Sequence, residues 1–230
     1  MRNRYKFSGD EEIYFVTATI VEWLSVFISD KYFQILVESL KYCQHHKYLK
    51  IHAYVFMIDH IHMVVSGPKI GDIIKSFKMF TAKKIVENLE EDHKSWHLDQ
   101  LKFFKKKYKI KSEYQIWQEG VHPQLVSFQK AFLQKVNYIH NNPVRKGYVE
   151  EPEFWKYSSA SYYIENRKGP IQIDDLADDQ TKQSFDSKCF PKQEFGNEKL
   201  PHYHLVHKLP HHLLVPKLPF GNTRIPKTLF

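Results

Sequence analysis

The stretch that most constrains this chain is the apolar run Ala53-Tyr54-Val55-Phe56-Met57-Ile58 followed by Asp59-His60-Ile61-His62-Met63-Val64-Val65 and Ser66-Gly67-Pro68. Two apolar, β-branched and aromatic runs closed by a Gly-Pro signal read as the strands of a buried hairpin. On a strand, side chains at i and i+2 share a face and stand roughly 6.6 Å apart along the chain. His60 and His62 therefore point the same way, close enough for two imidazoles to hold one divalent ion, while Ile61 and Met63 face the other side. The chain carries 14 histidines, so the pair alone does not choose between a ligand pair and two hydrogen-bonded imidazoles.

The order of elements around the hairpin narrows the fold. Ile13 to Ile20 has the character of a strand, and Asp30 is a candidate cap for a helix over 31–46, where Phe33, Leu36, Val37, Leu40 and Cys43 recur near the helical period. After the hairpin, a helix beginning near Gly71-Asp72 carries the stripe Ile73, Ile74, Phe77, Phe80, Thr81, Ile85 and Leu89. Its other side is basic, with Lys75, Lys78, Lys83 and Lys84. Strand-helix-strand-strand-helix is most of a ferredoxin-like unit, which predicts an α+β fold with an antiparallel sheet and helices packed on it. A short strand over 115–118 is expected to complete the sheet.

A second constellation lies in Asn137-Tyr138-Ile139-His140-Asn141-Asn142-Pro143-Val144-Arg145-Lys146-Gly147, at the end of a helix that Ser127 can cap. Residues four apart on a helix are neighbours on one face, so Tyr138 and Asn142 present a phenol and an amide side by side. Pro143 cannot continue a helix, which predicts that Asn142 sits at its end. Two imidazoles, an amide oxygen and a nucleophile are the groups on offer.

His60-Ile61-His62 on a strand and Tyr-Ile-x-x-Asn-Pro from Tyr138 to Pro143 resemble the HUH single-tyrosine transposases, in particular the REP-associated branch of the IS200-like family. Tyr14-Phe15-Val16-Thr17, Ser76 to Lys84, Ile116 to Gly120 and Phe154 to Ser159 agree with it, so the resemblance covers about residues 5 to 165. It implies a DNA transposase that cleaves and rejoins single-stranded DNA at palindromic repeat hairpins through a 5′-phosphotyrosine on Tyr138. It also implies a divalent ion, Mg²⁺ or Mn²⁺, held by His60, His62 and Asn142. Lys75, Lys78, Lys83, Lys84, Arg145 and Lys146 are the candidate DNA-contacting cations. The alternatives are a rolling-circle-type replication or relaxase nuclease, and a hairpin DNA or RNA-binding module without catalysis. The branch implies a bacterial host and a monomer or homodimer. One departure is Val121-His122-Pro123-Gln124, where many relatives carry an aromatic, an acidic residue and a histidine, so DNA contacts of that loop do not transfer.

Composition agrees without deciding. A net charge of +8 attracts polyanions. Lys102 to Lys111 packs six lysines among aromatics, which suits a groove for single-stranded nucleic acid or a solvated loop equally. Cys43 and Cys189 are in no metal-ligand spacing, and the absence of an apolar leader or a ~20-residue apolar run predicts a soluble, cytoplasmic protein with no membrane partner. From about Gly169 the chain turns proline-rich and acidic, and Lys-Leu-Pro recurs at Lys199, Lys208 and Lys217. Three imperfect copies are too few to bury a core. The expected organisation is a transposase or nuclease domain over 1–165 and a linker with a repetitive, disordered tail over 166–230, whose histidines His202, His204, His207, His211 and His212 have no catalytic role.

Overall fold

The structure is a computed structural model that describes Phe7, residues 12–121 and residues 123–175. The repetitive part of the tail and His122 lie outside the described residues. In chain order the elements are β1 (Tyr14–Thr19), α1 (Asp30–Lys47), β2 (Lys50–Phe56), β3 (His60–Ser66), α2 (Ile70–Glu91), α3 (Ser95–Phe103), β4 (Gln124–Leu125), α4 (Gln129–Arg145) and α5 (Ala160–Glu165). Short 3-10 turns span Val21–Trp23 and Pro152–Phe154.

The sheet runs β2-β3-β1-β4, every pair antiparallel, as the ferredoxin-like expectation requires. Because side chains alternate along each strand, the register sorts the two faces. Tyr14, Val16 and Ala18 share one face of β1 with Ile61, Met63 and Val65 of β3, and this side is buried with Phe33, Leu36 and Phe77 of α1 and α2. Phe15, Thr17 and Thr19 share the other face with His60 and His62, the side over which α4 lies. One residue of register slip would bury the imidazoles under α1 and α2 instead.

The outer edge of β2 is not left open. Phe56 N–H donates to the Tyr157 carbonyl at 2.9 Å and Ser159 N–H to the Tyr54 carbonyl at 3.0 Å. Trp155 is fully buried beneath this seam, its indole N–H donating to the Phe56 carbonyl at 2.8 Å, and Tyr157 stacks on Phe33 at 4.2 Å. Further on, Ile171 is buried, and the Asp174 carboxylate accepts from Ile51 N–H at 2.8 Å.

Three local expectations change. Ser29, not Asp30, is the N-cap of α1; the Asp30 carboxylate instead accepts from Tyr157 Oη and Lys156 Nζ, both at 2.7 Å, because a partner far along the chain outcompetes the local cap. Phe128, not Ser127, precedes the first turn of α4. The expected strand over 115–118 is reduced to a bridge between Ile20 and Trp117, and β4 comes later, at Gln124–Leu125. Between α2 and the lysine-rich stretch, α3 buries Leu101.

Candidate active site

β3 delivers the two imidazoles. Their ring centroids are 4.7 Å apart, and both residues are buried. The other nitrogen of each ring is anchored. His60 Nδ1 donates to the Asp59 carboxylate at 2.5 Å, and His62 Nδ1 lies 2.8 Å from the hydroxyl of Thr17, its cross-strand neighbour on β1. Anchoring Nδ1 sets the orientation of each ring and leaves Nε2 as the nitrogen available to a ligand. Burial holds the His62 imidazole well below the usual histidine range, with the charges of His60 and Lys135 acting in the same direction. A neutral imidazole is the form that binds a metal.

α4 delivers the phenol. The Tyr138 ring lies 5.3 Å from His62 and 6.0 Å from Phe15, edge-on to both, and the residue is 40% exposed. The Arg145 guanidinium lies 5.5 Å from the Tyr138 ring centroid, and the Lys135 ammonium lies 4.6 Å from that of Phe15. The phenol thus stands among cations next to an imidazole, open to solvent. An anion approaching it meets favourable charge.

Asn142 stands one turn beyond Tyr138 on the same helical face and is buried. The expectation that Pro143 ends the helix is corrected: α4 runs through Pro143 to Arg145. Pro143 lacks a donor, yet the turn beyond it is held: the carbonyls of Asn142, Pro143 and Val144 are all satisfied, by Lys146, Tyr148 and Gly147 respectively. The neighbouring Asn141 amide bonds back to Asn137, whereas the Asn142 side chain makes no hydrogen bond among the described residues. An amide without a protein partner keeps its oxygen available to a ligand. Among the described residues no group of three His, Cys, Asp or Glu side chains is placed to hold a metal ion. Two imidazoles and an amide oxygen fit a divalent ion without selecting one metal.

The predicted basic residues are dispersed. Lys78 is turned inward, donating to the Gln118 and Gly120 carbonyls at 2.8 and 2.7 Å, with burial pushing it down to about 8. Lys83 and Lys84 pair with Glu87 at 3.8 and 2.7 Å, and Lys75 and Lys146 are exposed. Lys75, Lys78 and Lys83 line a cleft of about 870 Å³ between α2 and the 109–121 segment, a lining that includes neither the imidazoles nor Tyr138. In the lysine-rich loop, Lys102 pairs with Glu113 and Lys109 with Glu119, while Phe103, Tyr108 and Ile110 are exposed.

Asp59, Thr17, Phe15, Lys135 and Trp23 had no assigned role in the sequence. Asp59 adjoins the histidine pair and was the most findable of them. Trp23 meets the His60 ring edge-on at 5.3 Å, a contact that only folding creates.

Residues 23–121 match the family described as Transposase IS200 like. A relative from Haemophilus influenzae that bears the name REP-associated tyrosine transposase is 24% identical over 147 residues, covering 64% of this chain and 78% of the relative. A solved REP-associated tyrosine transposase bound to a REP hairpin superposes with a TM-score of 0.51 at 20% identity, over 77% of this chain and 94% of the other. The stretch that carries β3 and its two histidines thus lies within the match to the IS200-like transposase family. The chain is similar to proteins that bear the name REP-associated tyrosine transposase. Among the described residues no helix is long and apolar enough to cross a membrane.

Proposed function

We propose that this chain cleaves and rejoins single-stranded DNA beside palindromic hairpins, with Tyr138 as the nucleophile. The observation that carries the reading is the pairing of an exposed phenol with an anchored imidazole pair, Tyr138 5.3 Å from His62. The hairpin enters from the solved relative, whose structure is of a complex with a REP hairpin.

Tyr138 Oη attacks the scissile phosphorus, forming a phenolic O–P bond and losing its proton. The P–O3′ bond breaks, and the departing 3′-oxygen takes up a proton. The 5′-phosphate stays on the enzyme, so the bond energy is conserved and the 3′-hydroxyl of another end can reverse the step without a nucleotide cofactor. Arg145 and Lys135, beside the Tyr138 and Phe15 rings, favour negative charge on a phosphate brought to the phenol. His60, His62 and Asn142 are the residues that would hold Mg²⁺ or Mn²⁺, which when bound polarises the phosphate. Asp59 and Thr17 keep the two imidazoles oriented for that task.

The test is incubation of the full chain with single-stranded hairpin DNA from the repeats beside its own gene, with Mn²⁺ or EDTA. A metal-dependent protein–DNA adduct on a denaturing gel, absent from Tyr138→Phe, is the expected result. Hairpin binding with no adduct in either protein would replace this reading with a recognition module.

A further inference from the structure

The rings at the site form a row. Trp23 contacts His60 at 5.3 Å, His60 contacts His62 at 4.7 Å, and His62 contacts Tyr138 at 5.3 Å. Trp23 meets neither His62 nor Tyr138, and Tyr138 does not meet His60. The two imidazoles are buried, whereas the residues at the ends are open, Trp23 at 50% and Tyr138 at 40%. Trp23 is therefore the exposed ring at the end opposite the nucleophile.

Its backbone is held in an uncommon way. Glu22 and Trp23 have φ of 50° and 56°, two successive left-handed residues of which neither is glycine. For a bulky residue this conformation is an outlier, and it persists only where the surroundings impose it. Three backbone bonds hold it: Val21 N–H donates to the Ile116 carbonyl at 2.8 Å, Trp23 N–H to the Ile20 carbonyl at 3.1 Å and Leu24 N–H to the Val21 carbonyl at 3.2 Å. The turn keeps half of a large apolar ring in solvent beside the buried imidazoles, although Phe27 and Trp155 show that this chain buries aromatic side chains completely elsewhere.

We infer that Trp23 is a stacking platform for one nucleobase, that of the nucleotide whose 3′-oxygen leaves when Tyr138 attacks. The inference rests on the proposed cleavage reaction. Phosphoryl transfer runs with the attacking and leaving oxygens in line, so the leaving 3′-oxygen points away from Tyr138. With the phosphate over His60 and His62, the nucleotide on its 5′ side lies toward the Trp23 end of the row. An exposed indole is a surface on which any base stacks. Trp23 then does more than bind substrate: it keeps the released 3′-hydroxyl end beside the phosphotyrosine, ready to rejoin.

The experiment uses the full chain with Mn²⁺ and the hairpin oligonucleotide, after the wild-type adduct has located the scissile phosphate. In a Tyr138→Phe background, which leaves the DNA whole, 2-aminopurine just 5′ of that phosphate is quenched on binding and stays bright when Trp23→Ala is added. The same label just 3′ of the phosphate responds equally in both proteins. With Tyr138 intact, Trp23→Ala still forms the adduct, but reversal to intact DNA slows by about tenfold to a hundredfold, the effect of losing one stacked base, and Trp23→Phe restores most of it. An abasic nucleotide at the 5′ position gives the same loss with wild-type protein, so the test does not depend on the variant folding. Equal quenching without Trp23, or unchanged reversal with the abasic strand, overturns the inference alone. Failure of the wild type to form any Tyr138-dependent adduct overturns the cleavage reading and this inference with it.

Discussion

The Asp59 carboxylate accepts a hydrogen bond from His60 Nδ1 at 2.5 Å, fixing which nitrogen of that ring faces the site. Residues of this kind, behind a metal ligand, commonly contribute 10- to 100-fold to metal affinity. Asp59→Asn is therefore expected to weaken Mn²⁺ binding by about that range, because the amide can present its N–H and favour the wrong tautomer. Titration calorimetry with Mn²⁺ checks it, and an unchanged Kd would remove Asp59 from the site.

Trp155 couples the segment after α4 to the edge of β2, through burial and its bond to the Phe56 carbonyl. Trp155→Ala is expected to destabilise the domain by about 3–5 kcal/mol, the range for emptying a large aromatic site. Urea unfolding should show the midpoint shift. A change below about 1 kcal/mol would mean that the site collapses without loss.

His52 donates from Nδ1 to the Asp174 carbonyl at 2.7 Å and accepts at Nε2 from the Ser66 hydroxyl at 2.8 Å. Burial lowers it from 6.5, the nearby Lys50 adds to that, and Asp174 and Asp175 oppose it. With the folded value below the unfolded one, the unfolded chain binds the extra proton. Stability linked to His52 is thus complete above about 6.5 and declines as pH falls from there toward the folded value. The stability difference between wild type and His52→Gln should narrow between pH 7.5 and pH 5; a constant difference by urea unfolding would count against it.

Gly67 ends β3 with φ of 143°, and a Cβ there would lie 2.7 Å from the Tyr48 carbonyl oxygen. Both the conformation and the backbone contact exclude a side chain. Gly67→Ala is expected to lose about 1–3 kcal/mol, read as a lower thermal midpoint. Retained stability would mean that the turn after β3 can move away from Tyr48.

Local pattern was enough for the hairpin, the shared direction of His60 and His62, the helical spacing of Tyr138 and Asn142, and the strand-helix order that leads to the β2-β3-β1-β4 sheet. These follow from periods of 2 and 3.6 residues, which any short window reveals. The same windows misjudged Asp30 and Pro143. The Asp30 carboxylate is claimed by Lys156 and Tyr157, more than a hundred residues away, and the turn after Pro143 is held by bonds that begin beyond the proline. Tertiary structure alone decided that Thr17 anchors His62, that α4 brings Tyr138 to that ring, and that a strained turn sets Trp23 against His60. Each of these depends on sheet register and helix docking, set by the burial of many side chains together, and no local spacing encodes where two distant segments meet.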